Sequence, residues 1–510
     1  MANKEAFLQA VQAGYSFKGE YAKIGTAMYE KEVVPGADVN IPFKTLNRHG
    51  LIAGATGTGK TKTLQVFAEM LSDASIPVIM MDIKGDLSGI GAAGMPGEAI
   101  MNRCKLLNIE YKPKQYPVEF LSLSNEKGVK LKATVTEFGP VLLSKILGLN
   151  DTQGSIVAMI FKYCDDNKLP LLDLKDFVKV LQYISNEGKS EMMQLYGNIS
   201  TTSTGTILRK VIELQQQGAD HFFGEPSFEV EDLMRINDDG RGMINILRIT
   251  DMQNRPKLFS TFMLELLAEL YAVCPEEGDL DKPKLVMIID EAHLLFEEAT
   301  SALLKQLETV VKLIRSKGIG IYFCTQNPTD VPASILAQLG LKIQHALRAF
   351  TAADRKAIKQ AAENFPMSEF YKTEDLLTQL GTGEAFVTLL NEKGIPTPLV
   401  HTMMRPPNSR MDVLTELEID SIVAKSKLVR KYNVTIDNQS AYEILDQKLN
   451  DASTKNQETQ AAAKGGKKKK DDPDFFDSPV VKQVERTAAS IITRSLLGAL
   501  GIKTRRKSLW

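Results

Sequence analysis

Cysteine and histidine are scarce in this 510-residue chain, four of the first and five of the second. Cys104, Cys164, Cys274 and Cys324 are scattered and form no C-x-x-C pair. That argues against a disulfide framework or a zinc site and fits a reducing, cytoplasmic setting. The histidines are equally dispersed. No uninterrupted apolar run approaches the roughly 18 residues of a spanning helix, and the first eight residues carry no apolar signal core. Neither an integral membrane segment nor a leader is therefore expected. The formal net charge of -1 gives no global pull towards nucleic acid, so any basic surface must be local. What remains, with 43% hydrophobic and 25% charged residues, is the composition of an ordinary soluble globular protein. It is long enough for one large domain with insertions, or for two to three domains.

Against this plain background one stretch stands out, Leu51-Ile-Ala-Gly-Ala-Thr-Gly-Thr-Gly-Lys-Thr-Lys-Thr-Leu64. Gly54, Gly59, Lys60 and Thr61 have the P-loop spacing G-x-x-x-x-G-K-[S/T]. Gly54, Gly57 and Gly59 let the backbone turn tightly and bring N–H groups onto phosphate oxygens. The nucleotide cradle expected from this pattern is Gly54, Ala55, Thr56, Gly57, Thr58, Gly59, Lys60, Thr61 and Lys62. Lys60 would neutralise the β- and γ-phosphates of ATP, and the Thr61 hydroxyl would hold Mg²⁺. Leu51-Ile-Ala reads as the end of a buried strand and Thr63–Leu71 as a helix, which sets the phosphates at a positive helix N-terminus. The bland reading is a Gly-rich turn that binds nothing.

Apolar runs and helical periods alternate along the chain. Ile76–Asp82 is a continuous apolar run ending in a carboxylate, as in a strand buried on both faces of a parallel sheet. Val118–Leu123, Gly242–Leu247, Lys284–Asp290, Ile319–Thr325, Leu341–Leu347 and Glu384–Leu389 read as further strands. Helical periods cover Val141–Leu147, Ser155–Tyr163, Leu174–Ile184 and Thr206–Gln217, with Gly148 and Gly218 as stops. Further helices fall at Lys257–Val273 and on the apolar face of Leu303 to Ile314, which ends at Gly318. The fold class expected is α/β, a P-loop NTPase with a RecA-like, mostly parallel central sheet. The organisation read from the chain is a small β-like appendage over 1–43 and a core in two parts, 44–139 and 241–405. A largely helical insertion over 140–240 lies between those parts, although some of its helices would serve equally as ordinary crossovers. A helical extension follows over 406–449. A charged linker expected to be disordered covers 450–480, and a basic amphipathic tail 481–510.

The second half of a nucleotide site is Leu285-Val-Met-Ile-Ile-Asp290-Glu291-Ala-His293. An apolar strand delivers Asp290 to the carboxyl edge of the sheet, where open α/β folds bind ligands, and Asp290 would support Mg²⁺. A carboxylate directly after it, Glu291, is positioned to polarise an attacking water, which implies hydrolysis. The alternative is that both acids cap the following helix. Gln326, after Ile321-Tyr-Phe-Cys-Thr325, would sense the γ-phosphate or orient the water; an Asn-Pro turn ending the strand is compatible with either role. Arg315 and Lys317 close a helix, where basic residues suit the dipole. Arg315 is equally a candidate arginine finger, completing a neighbour's site in trans, and Arg348 is a second candidate.

Together these pieces resemble the HerA/FtsK superfamily of ring-forming, DNA-pumping ATPases, and most closely the bacterial HerA-like ATPases. The resemblance is carried by Gly54–Thr61 with its Ala-Thr-Gly-Thr interior, Asp82-Ile-Lys-Gly-Asp86, Ile289-Asp-Glu-Ala-His293, Arg315-Ser-Lys-Gly318 and Thr325-Gln-Asn-Pro328. It spans about residues 15–405, and the basic C-terminus also looks like this branch. It implies that Asp290 and Glu291 are the Walker-B acids, Gln326 the glutamine sensor and Arg315 the finger. It also implies a homo-oligomer, a hexameric ring, moving on DNA. The β-barrel that precedes the motor in archaeal members is reduced or missing, which speaks against their nuclease partner. The lack of a membrane segment fits the cell-division and conjugation branches poorly.

Two functional classes follow. One is an ATP-hydrolysing ring translocase on DNA. The other is a nucleotide-gated ATPase that moves a protein partner, favoured by the neutral charge and the helical insertion. In the tail, Lys467–Lys470 and Arg505–Lys507 would touch phosphate backbones or simply form a solvated charge run. Ile491–Ile502 would lie on a membrane surface or dock on protein.

Overall fold

The computed structural model describes residues 2–462, apart from 253–255, 279, 297–300, 350, 435 and 437. The amphipathic tail, the Lys467–Lys470 run and most of the expected linker lie outside these residues. Chain contacts divide the protein into two compact units. The first holds Met1–Lys130, Glu229–Pro256 and Val273–Arg430; the second holds Leu131–Phe228, Lys257–Ala272 and the chain from Lys431.

The first unit is built on one 12-stranded sheet. Its strands are β1 Tyr21–Tyr29, β2 Glu32–Pro42, β3 Gly50–Ala53, β4 Val78–Asp82, β5 Val118–Ser122 and β6 Val129–Lys130. They continue with β7 Ile244–Arg248, β8 Leu285–Ile289, β9 Ile319–Thr325, β10 Leu341–Gln344, β11 Glu384–Thr388 and β12 Val400–Met404. The spatial order is β2-β1-β12-β11-β10-β3-β9-β8-β4-β7-β5-β6. From β10 to β6 every pairing is parallel. From β2 to β10 every pairing is antiparallel. The central strands β3, β4, β8 and β9 are buried at every residue, because helices cover both faces of a parallel sheet. This is the mostly parallel α/β P-loop architecture expected from the runs of apolar residues.

Some boundaries differ from expectation. The stretch before Phe43 is not a detached β piece. A helix, Ala2–Gly14, comes first, and β1 and β2 then extend the main sheet by pairing β1 with β12. Phe7, Val11 and Tyr15 are buried, and the Tyr15 hydroxyl donates to the carbonyls of Val387 and Pro398. A residue spacing of four is what a helix needs to bury one face.

The second unit is helical. Helices Val135–Ile146, Asp151–Asp166, Leu174–Ser185, Lys189–Leu195 and Thr201–Gln216 follow one another. Thr134/Glu137, Asn150/Gln153 and Asp173/Asp176 form reciprocal capping boxes at three of their starts. Gly139 (φ 72°) and Pro140 kink the first helix. Two segments read from the sequence as core and extension also fall in this unit. One is the helix Pro256–Val273, most of whose described side chains are buried. Phe262 of that helix meets the rings of Phe222 and Phe228. The other is the helix Ala441–Ala462, which rests on Leu174–Ser185 through Lys179–Asp446 (2.7 Å) and the Tyr442 N–H on Asp176. That helix is described as far as Ala462, into the stretch expected as a linker from residue 450. Its final turns are rich in Ala, Gln, Glu and Lys and lack Gly and Pro, so nothing breaks it. No helix among the described residues is long and apolar enough to cross a membrane.

Candidate nucleotide site

The parallel strands β3, β8 and β9 end side by side, and the expected site residues sit on the loops that leave them. After Ala53 the chain turns through Gly54 (φ 153°), Gly57 (φ 78°) and Gly59 (φ 109°) into the helix Lys60–Asp73. Gly59 is the N-cap, in a left-handed conformation with no side-chain cap bond. The first N–H groups of the helix are thus left for a ligand, with the positive end of the dipole behind them. The glycines are also required by space. A Cβ on Gly54 would lie 2.5 Å from Cβ of His345, and one on Gly59 would lie 3.1 Å from the backbone of Gly383.

Neighbouring strands hold the loop. The Ala55 N–H donates to the Ala346 carbonyl at 2.8 Å, and the Gly383 N–H donates to the Thr58 carbonyl at 2.9 Å. The Thr58 hydroxyl closes the turn onto the Ala55 carbonyl at 2.7 Å, while Thr56 and Gly57 are exposed at its tip. Arg103 in turn grips the segment before β11 and the end of β12, donating to the carbonyls of Thr382 and Gly383 and to that of Met404. Lys60 is buried and its ammonium donates to the Gly54 carbonyl at 2.6 Å, inside the curl of the loop. Thr61 donates its hydroxyl to Oδ2 of Asp86 at 3.0 Å. Lys62, expected among the cradle residues, instead sends its ammonium to the Met411 carbonyl, and burial lowers its pKa.

Asp290 follows β8 and is buried. Burial first, and the adjacent Glu291 charge second, raise its pKa, opposed by a hydrogen bond from the Cys324 thiol. Glu291 is 4% exposed, and its backbone stands in the left-handed region at φ 47°, a conformation that non-glycine residues adopt rarely. Its Oε1 pairs with the Lys84 ammonium and its Oε2 lies 3.2 Å from Nδ1 of His293. The helix after it, His293–Phe296, begins at His293.

Between these two motifs lies a loop to which the residue reading assigned no separate chemistry, Ile83–Leu87. Asp82, at the end of β4, accepts the N–H groups of Gly85 (2.7 Å), Asp86 (3.2 Å) and Leu87 (3.2 Å). Its carboxyl is pushed up to about 7 by burial first, then by the charge of Asp86. A carboxylate four residues from another after an apolar strand was the available signal. Oδ1 of Asp86 is buried with no hydrogen-bond partner, although Oδ2 of the same carboxylate takes the Thr61 hydroxyl. Thr61, Asp86 and Asp290 are all hard oxygen donors, and an orphaned carboxylate oxygen beside the Thr61 hydroxyl suits Mg²⁺. No cluster of three or more His, Cys, Asp or Glu that could hold a metal by itself occurs among the described residues.

Gln326 and Asn327 leave β9. They line a cleft of about 440 Å³ together with Ala55, Thr56, Leu347, Arg348, Asp354 and Ile358. Gln326 is exposed, and Asn327 caps the turn Pro328–Asp330. The turn expected at Asn327-Pro328 is present, and it leaves Gln326 at the cleft. Arg348 shares the cleft with its own P-loop. Arg315 does not. It stands in the turn before β9, at the strand end opposite Thr325, a distance of about 23 Å for seven extended residues.

The chain is similar to several known proteins. Curated relatives include the DNA double-strand break repair helicases HerA of Sulfolobus acidocaldarius and Sulfurisphaera tokodaii. The first is 22% identical over 374 residues, and the second 22% over 375. In each case the match covers 71% of this chain and 66% of the relative, so the chain spans just under two thirds of their length. Among solved structures, the bacterial conjugative coupling protein TrwB in an unbound form superposes with a TM-score of 0.50 at 13% identity, covering 80% of this chain and 94% of that one. TrwB in complex with the non-hydrolysable ATP analogue ADPNP gives the same TM-score and identity, with 80% and 95% covered. These structures share the fold. Residues 28–506 match the family described as helicase HerA-like C-terminal, and the chain belongs to that family.

Proposed function

We propose that this protein is an ATP-hydrolysing, ring-forming DNA translocase. The observation that carries the reading is the arrangement of Lys60 after β3 and of Asp290 and Glu291 after β8, at the same edge of the sheet on either side of β9. Lys60 and the free N–H groups of Gly59–Thr61 would hold the triphosphate, with Thr61 and Asp290 on the Mg²⁺ side. Bound Mg²⁺ would neutralise phosphate charge as it develops. Glu291 would take a proton from water as the water oxygen attacks the γ-phosphorus. The bond from that phosphorus to the β-γ bridging oxygen breaks, and ADP and phosphate leave. Gln326 lines a cleft with Ala55 and Thr56 of the P-loop and would orient the water.

Ring formation and DNA are supported more indirectly. Arg315 stands too far from its own P-loop to serve it, so a finger role requires a neighbouring subunit, and a closed ring, a hexamer in our reading, supplies one at every site. The relatives named as DNA double-strand break repair helicases favour DNA as the track. A cytoplasmic location follows from the same reading. The test is phosphate release from ATP with Mg²⁺, with and without double- and single-stranded DNA, with mass measured under the same conditions. Stimulation by DNA and a nucleotide-dependent oligomer are expected. Turnover indifferent to DNA in a protein that stays monomeric would overturn the translocase.

A second reading, a nucleotide-gated ATPase acting on a protein partner, draws on the compact helical unit and the net charge of -1. DNA affinity that falls steeply with salt would count against it.

A further inference from the structure

Glu291 is nearly closed off from solvent, yet the chemistry assigned to it needs one carboxylate oxygen aimed at a water. Its backbone, at φ 47°, fixes the direction in which the side chain leaves the strand end. The remaining freedom lies in the side-chain torsions, and those are set by what the two oxygens touch. Oε1 is paired with Lys84, and Oε2 lies beside His293.

Lys84 is well built for setting them. It stands on Ile83–Leu87, whose backbone is drawn around the Asp82 carboxylate by three N–H bonds, with Gly85 at φ 75° making the turn. The same loop presents Asp86 to the Thr61 hydroxyl. One short, clamped segment therefore touches both the P-loop threonine and the Walker-B glutamate. The Lys84 side chain is 38% exposed and that of Glu291 5%, so the ammonium reaches the carboxylate from the open side. Burial opposes the charge on Lys84, but its hydrogen bond to Glu291 and the charges of Glu291, Asp290 and Asp86 outweigh this and raise its pKa.

We infer that Lys84 is a positioning residue for Glu291: it holds one carboxylate oxygen so that the other points at the attacking water. This rests on the hydrolytic reading above. The bland competitor is a structural ion pair, which would affect stability and not turnover. A second competitor is a direct contact from Lys84 to phosphate, which would affect nucleotide affinity.

The experiment compares wild type, Lys84→Gln, Lys84→Arg, Glu291→Gln and the Lys84→Gln/Glu291→Gln double variant. The readouts are steady-state phosphate release, affinity for a fluorescent non-hydrolysable ATP analogue, and thermal melting. Lys84→Gln is expected to lower kcat about tenfold or more, with KM and analogue affinity within about threefold of wild type. Lys84→Arg should recover at least half of the lost rate. In the Glu291→Gln background the Lys84 change should cost less than about twofold, because its effect passes through that carboxylate. An unchanged kcat in Lys84→Gln would overturn the inference. So would parallel losses of kcat and affinity, an arginine variant as poor as the glutamine one, or a full additional loss in the double variant. A wild type that binds the analogue but releases no phosphate refutes the hydrolytic reading itself. An active wild type with an inactive Glu291→Gln and an unaffected Lys84→Gln refutes Lys84 alone.

Discussion

Nε2 of His345 accepts the hydroxyl proton of Thr63 across 3.0 Å, while Nδ1 of the same ring faces the Glu384 carbonyl at 2.9 Å. A carbonyl only accepts, so Nδ1 carries the hydrogen and Nε2 is left with its lone pair for Thr63. A buried neutral imidazole thus joins the first turn after the P-loop to the strand edge beside it. His49 is held the same way. Its Nδ1 accepts the Ile321 N–H at 3.0 Å and its Nε2 lies 2.8 Å from the Val311 carbonyl.

Acid should therefore loosen the first unit. Burial lowers the pKa of both His345 and His49 from 6.5 to about 4. The folded state resists protonation that the unfolded chain accepts, so stability is full above about pH 6.5 and falls as pH drops towards 4. Each ring contributes on the order of 3 kcal/mol to that loss. Denaturant titrations at pH 7.5, 6 and 5 should show a falling midpoint, and His345→Asn should flatten the slope. A midpoint constant between pH 7.5 and 5 would contradict the neutral-ring geometry.

Gly59→Ala should weaken nucleotide binding without unfolding the protein. The new methyl meets the Gly383 backbone at 3.1 Å on a residue at φ 109°. The loop must open, and analogue affinity should fall at least about tenfold by fluorescence titration. Gly383→Ala, at φ 75° with Arg103 Nη1 only 2.4 Å from the added carbon, should weaken binding from the other side. Wild-type affinity in both variants would show that the strand edge does not buttress the loop.

Removing the Glu265 carboxyl should stabilise the helical unit at neutral pH. Glu265 is 2% exposed, its Oε2 has no hydrogen-bond partner, and burial, followed by the charges of Glu269 and Glu137, raises its pKa well above the usual 4.5. A raised folded-state pKa means that stability is intact below about pH 4.5 and is lost as pH rises towards the folded value. Glu265→Leu should match wild type in acid and exceed it at pH 8, by about 2–4 °C in Tm for each kcal/mol regained. Calorimetry at pH 4.5 and 8 decides; a variant that melts lower at pH 8 refutes the assignment of Glu265 as an unrelieved burial.

Arg315→Ala and Lys60→Ala should each lose ATPase activity, Glu291→Gln by about 10²–10⁴-fold with binding retained. If Arg315 serves a neighbour, mixing the first two variants should restore part of the rate. At such an interface an Arg315-intact subunit meets an intact P-loop. Mixtures no more active than their parts would remove Arg315 from the site.

The strands that carry chemistry were legible because each is a dense apolar run ending in a polar residue. Ile319–Thr325 is such a strand from end to end, Asp82 closes β4, and Asp290 follows directly on β8. β12, Val400–Met404, escaped notice because His401, Thr402 and two methionines give it no clear period. Asp82–Asp86 stood out as a motif, but the contact of Lys84 was hidden, since a surface-type lysine in a Gly-containing turn looks like any solvated loop. Only the fold brings it to Glu291. The destination of Pro256–Val273 was also beyond periodicity, since an apolar helix says that it is buried but not against which neighbours.

The contact between Gly383 and the P-loop also sets an order of events during synthesis. Gly54–Thr61 leaves the ribosome early, but the carbonyl of Thr58 finds its N–H partner only when the segment leading into β11 has been made. β10, which flanks β3, is likewise a late arrival. The nascent chain therefore carries Gly54–Thr61 before β9, β10 and Gly383 have been made, and the contacts that hold the loop in its folded geometry can close only after them.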